Sequence, residues 1–196
     1  YQSVVGDDNE ALTTINAVYK GYQSELCRKQ FLLPEIHLAY ARIYLNMGLD
    51  DKAGEYVQKG FESWQEGFPN KPTLAGLYAY KAGMFHELDS AVHYLDKALQ
   101  IAREANDLKY QQGIQTDIGY TYAIHGFFEK AEIYFKDALK VARKRKAYIQ
   151  VSTIYNNLAG VSSDTAEIAQ FLDSAFYYAA RTGNLDAMQT ARQNSA

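Results

Sequence analysis

The sequence predicts an all-α protein built from repeated pairs of antiparallel helices. Three observations support this fold class. Helix-forming residues dominate, and only three prolines interrupt the 196 residues. Large apolar residues recur at helical spacings of three and four positions. The same pattern of small and large residues also returns every 37 to 42 residues, which indicates stacked copies of one structural unit.

The unit is clearest in three stretches, at 39–60, 77–98 and 117–138. Each pattern starts with a small residue, and an alanine follows twelve positions later. A large apolar residue comes four positions after that alanine, and a second small residue three positions further on. These residues are Ala41, Ala53, Val57 and Gly60, then Ala79, Ala91, Leu95 and Ala98, then Gly119, Ala131, Phe135 and Ala138.

This pattern resembles the tetratricopeptide repeat. The resemblance implies a right-handed α-solenoid of antiparallel helical hairpins, with about ten helices in this chain. Two features of the family are missing: His37, Ala75 and Gln115 replace its tryptophan, and the closing proline is absent. The basic unit has about 34 residues, so these helices are extended, and such longer units are similar to those of bacterial regulators and sensor domains.

The alternation of small and large residues has a physical reason. Small residues allow the two helices of a hairpin to approach closely, and large residues fill the space beside the contact. We therefore expect Gly119 and Ala131 to face each other across one hairpin.

The turns between paired helices also carry signals. Gly48 and Gly126 can adopt the left-handed conformation that ends a helix. Asp50 and Asp89 are expected to cap the helices that follow.

We expect a single domain over residues 1–196. It would comprise a partial repeat at 8–26, full repeats at about 34–66, 72–106, 112–146 and 149–182, and a truncated helix at 184–196. The register of the fourth repeat is open, because its best small residue, Ala159, lies only nine positions before Ile168.

Both ends of the predicted solenoid expose apolar residues, which further sequence or another copy of the chain would cover. A homo-oligomer through these ends is therefore one expectation. The residues concerned are Ile15 and Val18 at one end and Leu185 and Met188 at the other.

Composition limits the partners. The formal net charge is -3 with mixed signs, so no direct binding of nucleic acid is expected. No apolar run approaches the roughly 20 residues that span a bilayer, so no membrane insertion is expected. We expect a cytoplasmic protein, or a periplasmic one if it is the sensor region of a membrane-tethered regulator. A single cysteine, Cys27, cannot form an internal disulfide framework and is expected to pack.

No catalytic or cofactor-binding motif occurs, so we expect no enzyme activity, no cofactor and no metal. His86 and His125 fall near neighbouring turns and are expected to be surface residues, with a metal site as the alternative. The basic stretch 140–146 closes a helix, where cations are favourable. A patch for phosphate or acidic groups is its alternative interpretation.

The resemblance implies a concave groove lined by the first helix of each repeat. Tyrosine and methionine suit a binding surface of this kind. In the alternative interpretation, Tyr80 and Tyr120 only pack against neighbouring helices. The candidate partner-binding residues are Arg42, Asn46, Tyr80, Met84, Asp117, Tyr120, Ile124, Asn156 and Asn157.

One subtype of the family holds the C-terminal carboxylate of chaperones with Lys, Arg and Asn side chains. That clamp is missing here, where the corresponding residues are Leu38, Arg42, Leu77, Gly113 and Asp117. We therefore expect a non-catalytic scaffold that binds a protein or peptide segment in its concave groove. The alternative is a ligand- or peptide-sensing region of a larger bacterial transcriptional regulator or sensor kinase.

Overall fold

The computed structural model describes residues 2–23, 32–183 and 185–194. Cys27, the end of the partial repeat 8–26 and the side chain of Leu185 lie outside the described part. The described residues form ten α-helices and no strand. The helices are α1 (Gln2–Gln23), α2 (Leu33–Asn46), α3 (Asp50–Ser63), α4 (Lys71–Ala82), α5 (Leu88–Glu104), α6 (Leu108–Ile124), α7 (Phe128–Lys144), α8 (Tyr148–Val161), α9 (Thr165–Thr182) and α10 (Leu185–Asn194).

Successive helices pair as hairpins, α2 with α3, α4 with α5, α6 with α7 and α8 with α9. The first helices of the hairpins also contact one another along the stack, and α10 continues this layer by contacting α8. Each second helix contacts the first helix of the next hairpin. The result is a right-handed α-solenoid in which the first helices form one layer and the second helices the other.

The tightest packing within the third hairpin lies at Gly119 on α6. A Cβ atom on this glycine would lie 2.7 Å from two ring carbons of Phe135 and 3.2 Å from the carbonyl oxygen of Ala131. Both α7 residues are almost completely buried. The predicted contact between Gly119 and Ala131 is therefore confirmed, and the Phe135 ring fills the space that a side chain on residue 119 would need.

The second hairpin departs from the predicted register by three residues. Ala79, the expected small residue, is only half-buried, whereas Ala82 is 2% exposed. Leu77 is fully buried and lies five positions before Ala82, as the buried Ile114 lies five before Gly119. The expectation that Ala79 fills the small position is therefore wrong, and Ala82 fills it.

Ring stacking supports the corrected register. Phe85, three positions after Ala82, stacks on Tyr94 with the ring centroids 5.1 Å apart. In two other hairpins, the residue three positions after the small one stacks on the second helix in the same way. Those pairs are Tyr44 with Tyr56 at 5.4 Å and Tyr122 with Tyr134 at 5.7 Å.

The hairpins therefore come in two forms that differ in the spacing between the small residue of the first helix and the matching residue of the second helix. In the first and third hairpins, Gly48 and Gly126 have φ angles of 70° and 79°, which confirms their predicted conformation. The small residue and the following alanine are twelve positions apart there. The second hairpin has a spacing of nine from Ala82 to Ala91, and the fourth has the same spacing from Ala159 to Ile168.

The predicted caps are wrong. Asp50 and Asp89 lie within the first turns of α3 and α5, whose N-cap residues make no side-chain cap hydrogen bond. Asp107 and Asp164 are the caps that form, because each side chain accepts hydrogen bonds from two backbone N–H groups at the start of α6 or α9.

Two glycines of α6 provide a matched test of the helix contact. We expect Gly119→Ala to lower the free energy of unfolding by about 1–3 kcal/mol, because the new methyl group overlaps Phe135. Gly113→Ala should raise it by up to about 1 kcal/mol, because its Cβ would meet no atom within 4 Å and alanine favours helix. Urea unfolding of both variants measures the difference, and equal effects would contradict the packing described.

Candidate functional site

Three polar side chains form a row across the layer of first helices. Tyr80, Asp117 and Asn157 each lie two positions before the small residue of their hairpin. Because α4, α6 and α8 contact one another in order, these equivalent positions follow one another along the stack. We call these three residues the central row. None of the three is among the buried residues that form the described core.

Tyr80 lies between charged groups of two other helices. Burial raises the pKa of its phenol to about 12. The positive charge of Arg42 on α2 lowers this pKa. Tyr110 and Asp117 of α6 raise it further. The structure therefore brings together the three predicted residues Arg42, Tyr80 and Asp117.

A glycine allows α6 to approach α4 beside this row. A Cβ atom on Gly76 would lie 2.7 Å from Cδ2 of Leu38 and 3.1 Å from the hydroxyl oxygen of Tyr110. Tyr110 was not predicted as a site residue, although it electrostatically influences Tyr80. Gly76 was the sequence feature that could have indicated this contact. Glycine inside a helix costs about 1 kcal/mol of helix stability, so its presence suggests that another side chain packs closely there.

Asp117 is the most perturbed carboxylate of the site. Its side chain is exposed to water, although many protein atoms lie around it. This burial raises its pKa to about 6. Within the described residues, no cation lies at ion-pairing distance from the carboxylate. The group therefore carries a desolvation cost that no partner in the fold offsets.

Open space adjoins the central row. A Cβ atom on Gly113, one turn before Asp117, would meet no atom within 4 Å. The same holds for Gly160, three positions after Asn157. The surface beside the row therefore has room for side chains of another molecule.

Two large side chains of α6 extend this surface. Tyr120 and Ile124 are 59% and 63% exposed and follow Asp117 at helical spacing. Arg42 and Asn46 are exposed on α2, one turn apart. The first helices thus present aromatic, apolar and charged groups to the same side.

The remaining predicted residues lie differently. Met84 follows α4 and is 53% exposed, but its Cε atom would be 2.7 Å from a Cβ on Gly54 of α3. It therefore reaches the preceding hairpin and not the central row. Asn156 is half-buried, and its amide donates to the carbonyl oxygen of Ser152 at 3.3 Å.

The basic stretch 140–146 does not form one patch. Lys140 pairs within α7 at 2.7 Å. Arg143 donates to the hydroxyl of Tyr155, and Arg145 donates to Oε1 of Gln112 at 2.8 Å. Arg143 and Arg145 thus connect the end of α7 with α8 and α6, whereas the Lys140 pair lies within α7.

His125 links the turns of the second and third hairpins. Its Nδ1 lies 2.7 Å from the carbonyl oxygen of Thr121, and its Nε2 lies 3.0 Å from that of His86. Only the protonated ring can donate to both oxygens, and these two hydrogen bonds raise the pKa of His125. Among the described residues, no three metal-ligating side chains come together.

None of the described helices combines the length and the apolar character that crossing a membrane requires.

Comparisons with known proteins bear on the fold. No protein-family model matches the chain, and no curated protein matches it in sequence. Aspartyl phosphate phosphatase F from Bacillus subtilis is similar in structure, with a TM-score of 0.77, 15% identity, and coverage of 84% of this chain and 44% of that one. BtubC from P. vanneervenii gives a TM-score of 0.61 at 16% identity, covering 98% and 89%.

A protein from Pyrococcus horikoshii is described as a signal-transduction ATPase with a tetratricopeptide repeat sensor. It gives a TM-score of 0.71 at 21% identity, covering 90% of this chain and 28% of that one. The fold of this chain is a tetratricopeptide-repeat solenoid. The chain spans less than half the length of this protein and of the Bacillus phosphatase.

The unpaired Asp117 makes a prediction about stability. Its pKa rises from 3.8 to about 6 on folding, so ionisation removes stability as the pH increases through this range. We expect Asp117→Asn to raise the free energy of unfolding at pH 7 by up to about 1 kcal/mol, a value reduced for the water that reaches the carboxylate. At pH 4 the two proteins should be equally stable. Thermal melts at both pH values measure this, and a variant less stable at pH 7 would contradict it.

Proposed function

We propose that this chain is a non-catalytic scaffold that binds a segment of another protein along its first helices. The observation that carries the proposal is the central row of Tyr80, Asp117 and Asn157. Helical-repeat scaffolds with this fold typically serve protein interactions. In this row Asp117 is exposed, and Tyr80 and Asn157 are half-buried, so each keeps surface that a partner could contact.

The energetics of the surface support binding. Asp117 is held without a cation in the fold, although its desolvation costs stability. Tyr120 and Ile124 leave most of their surface in water beside it. Side chains that gain little or lose energy in the folded chain are reasonable candidates for contacts with a partner.

The shape also suits an extended segment. The central row crosses three helices, and open space at Gly113 and Gly160 adjoins it. A segment lying across α4, α6 and α8 could contact every member of the row. Tyrosine contributes large contact area at low entropic cost, so Tyr120 is the expected anchor.

A sensing role in a larger protein is the second candidate function. The similar Pyrococcus protein carries its tetratricopeptide repeat as a sensor, and this chain covers only 28% of that protein. In that case the same surface would bind the sensed peptide. Self-association through the end that carries Ile15 and Val18 stays a separate prediction.

A pair of exposed tyrosines tests the proposed surface. The probe is a peptide selected from a displayed library of random twelve-residue peptides on the wild-type protein. We expect Tyr120→Ala to weaken its binding by about 2 kcal/mol, because exposed aromatic anchors dominate such contacts. Tyr177→Ala is the matched control, since Tyr177 is 56% exposed but lies on a second helix, α9.

Calorimetric titration measures both affinities, and thermal melts check that both variants are folded. If Tyr120→Ala binds as tightly as the wild type, or if Tyr177→Ala is equally impaired, the binding surface lies elsewhere.

A further inference from the structure

We propose that the partner segment carries a cationic group that pairs with Asp117. This inference rests on the proposed function, because it assigns the chemistry of the ligand at the same surface. It goes further in naming the charge that the segment must present.

The neighbours of Asp117 in the central row cannot neutralise it. Tyr80 and Asn157 are uncharged hydrogen-bonding groups on the helices to either side. Arg42 affects the phenols of Tyr80 and Tyr110, but only burial perturbs the carboxyl of Asp117. No ion pair of the described residues involves Asp117, so its carboxylate is available to a ligand.

The space beside Asp117 has the properties that a cation needs. Gly113 leaves room one turn earlier on the same helix. The ring of Tyr120 follows Asp117 by three positions and is mostly exposed, so it can contact the apolar part of a lysine or arginine side chain. Asp117 is exposed, so a cation of another molecule can reach its carboxylate and be attracted to it.

The two charged residues of this surface have opposite signs and lie on either side of Tyr80. Arg42 stands at the α2 side of Tyr80, and Asp117 stands at its α6 side. A cation near Arg42 would be repelled, and an anion near Asp117 would be repelled. The cationic group of the segment should therefore lie over α6, with its uncharged or acidic part towards α2.

Peptide selection with charge variants tests this inference. Random twelve-residue peptides are selected on the wild type, on Asp117→Lys and on the control Asp173→Lys, which reverses an exposed carboxylate of α9. We expect lysine and arginine to be enriched on the wild type and on the control, and acidic residues on Asp117→Lys. Asp117→Asn should weaken the wild-type peptide roughly tenfold, and raised salt should reduce the difference.

Two further experiments identify whether the cationic group is the peptide N-terminus or a side chain. Acetylation of the peptide N-terminus should abolish binding only if the terminal ammonium is the paired group, and replacement of each lysine or arginine by glutamine identifies a side chain. Thermal melts confirm that each variant is folded.

The outcomes distinguish the two proposals. Peptides that require Tyr120 but show no basic enrichment, and bind Asp117→Asn normally, would overturn the cation pairing and leave the binding surface intact. Peptides that are indifferent to both residues, or a selection that enriches nothing, would overturn the proposed function as well.

Discussion

The close approach of the two helices within a hairpin determines the rest of this structure. At Gly119, even one methyl group would overlap the ring of Phe135, so the distance between α6 and α7 is set by the absence of a side chain. Gly60 of α3 makes the same kind of contact with the next hairpin, since its Cβ would lie 2.3 Å from Cδ2 of Leu77. Small residues thus fix the spacing within hairpins and between them.

Because small and apolar residues form the helix interfaces, the exposed side of the first helices is available for contacts with other molecules. The helix interfaces are closed by alanine, glycine, aliphatic and some aromatic side chains, many of which are almost fully buried. Asp117 is exposed and is not among the buried residues of these interfaces. The protein around it raises the pKa of its carboxyl to about 6. Perturbed groups of this kind are candidates for functional sites, which agrees with the proposed binding surface.

The sequence was sufficient for the fold class, because the repeated pattern combined small residues, large residues and helical spacing. It failed in the second hairpin because Ala79 and Ala82 are chemically identical candidates for one position. The turn held the missing information: a glycine stands five positions before Ala53 and Ala131, whereas His86 stands five before Ala91. Without that glycine, the spacing from the small residue of the first helix to the alanine of the second helix is nine residues and not twelve.

Part of the site could also be predicted. The sequence grouped Arg42, Tyr80 and Asp117 on one surface, and the structure brings them together. The corrected register, however, moves Tyr80 by three repeat positions from its predicted place. Tyr110 could not be predicted from its own position, because its contact with Gly76 depends on how α6 packs against α4. Met84 could not be excluded from sequence, because its position relative to α3 depends on the corrected register.

The central claim is that the helix interfaces carry the fold while the surface of the first helices is free for binding. Urea unfolding of a variant with Arg42, Asp117, Tyr120 and Ile124 all replaced by alanine tests it most directly. We expect the same m-value and a free energy of unfolding within about 1 kcal/mol of the wild type, since surface substitutions away from packing contacts have small effects. A loss of more than about 3 kcal/mol would show that these side chains belong to the core and would contradict the account.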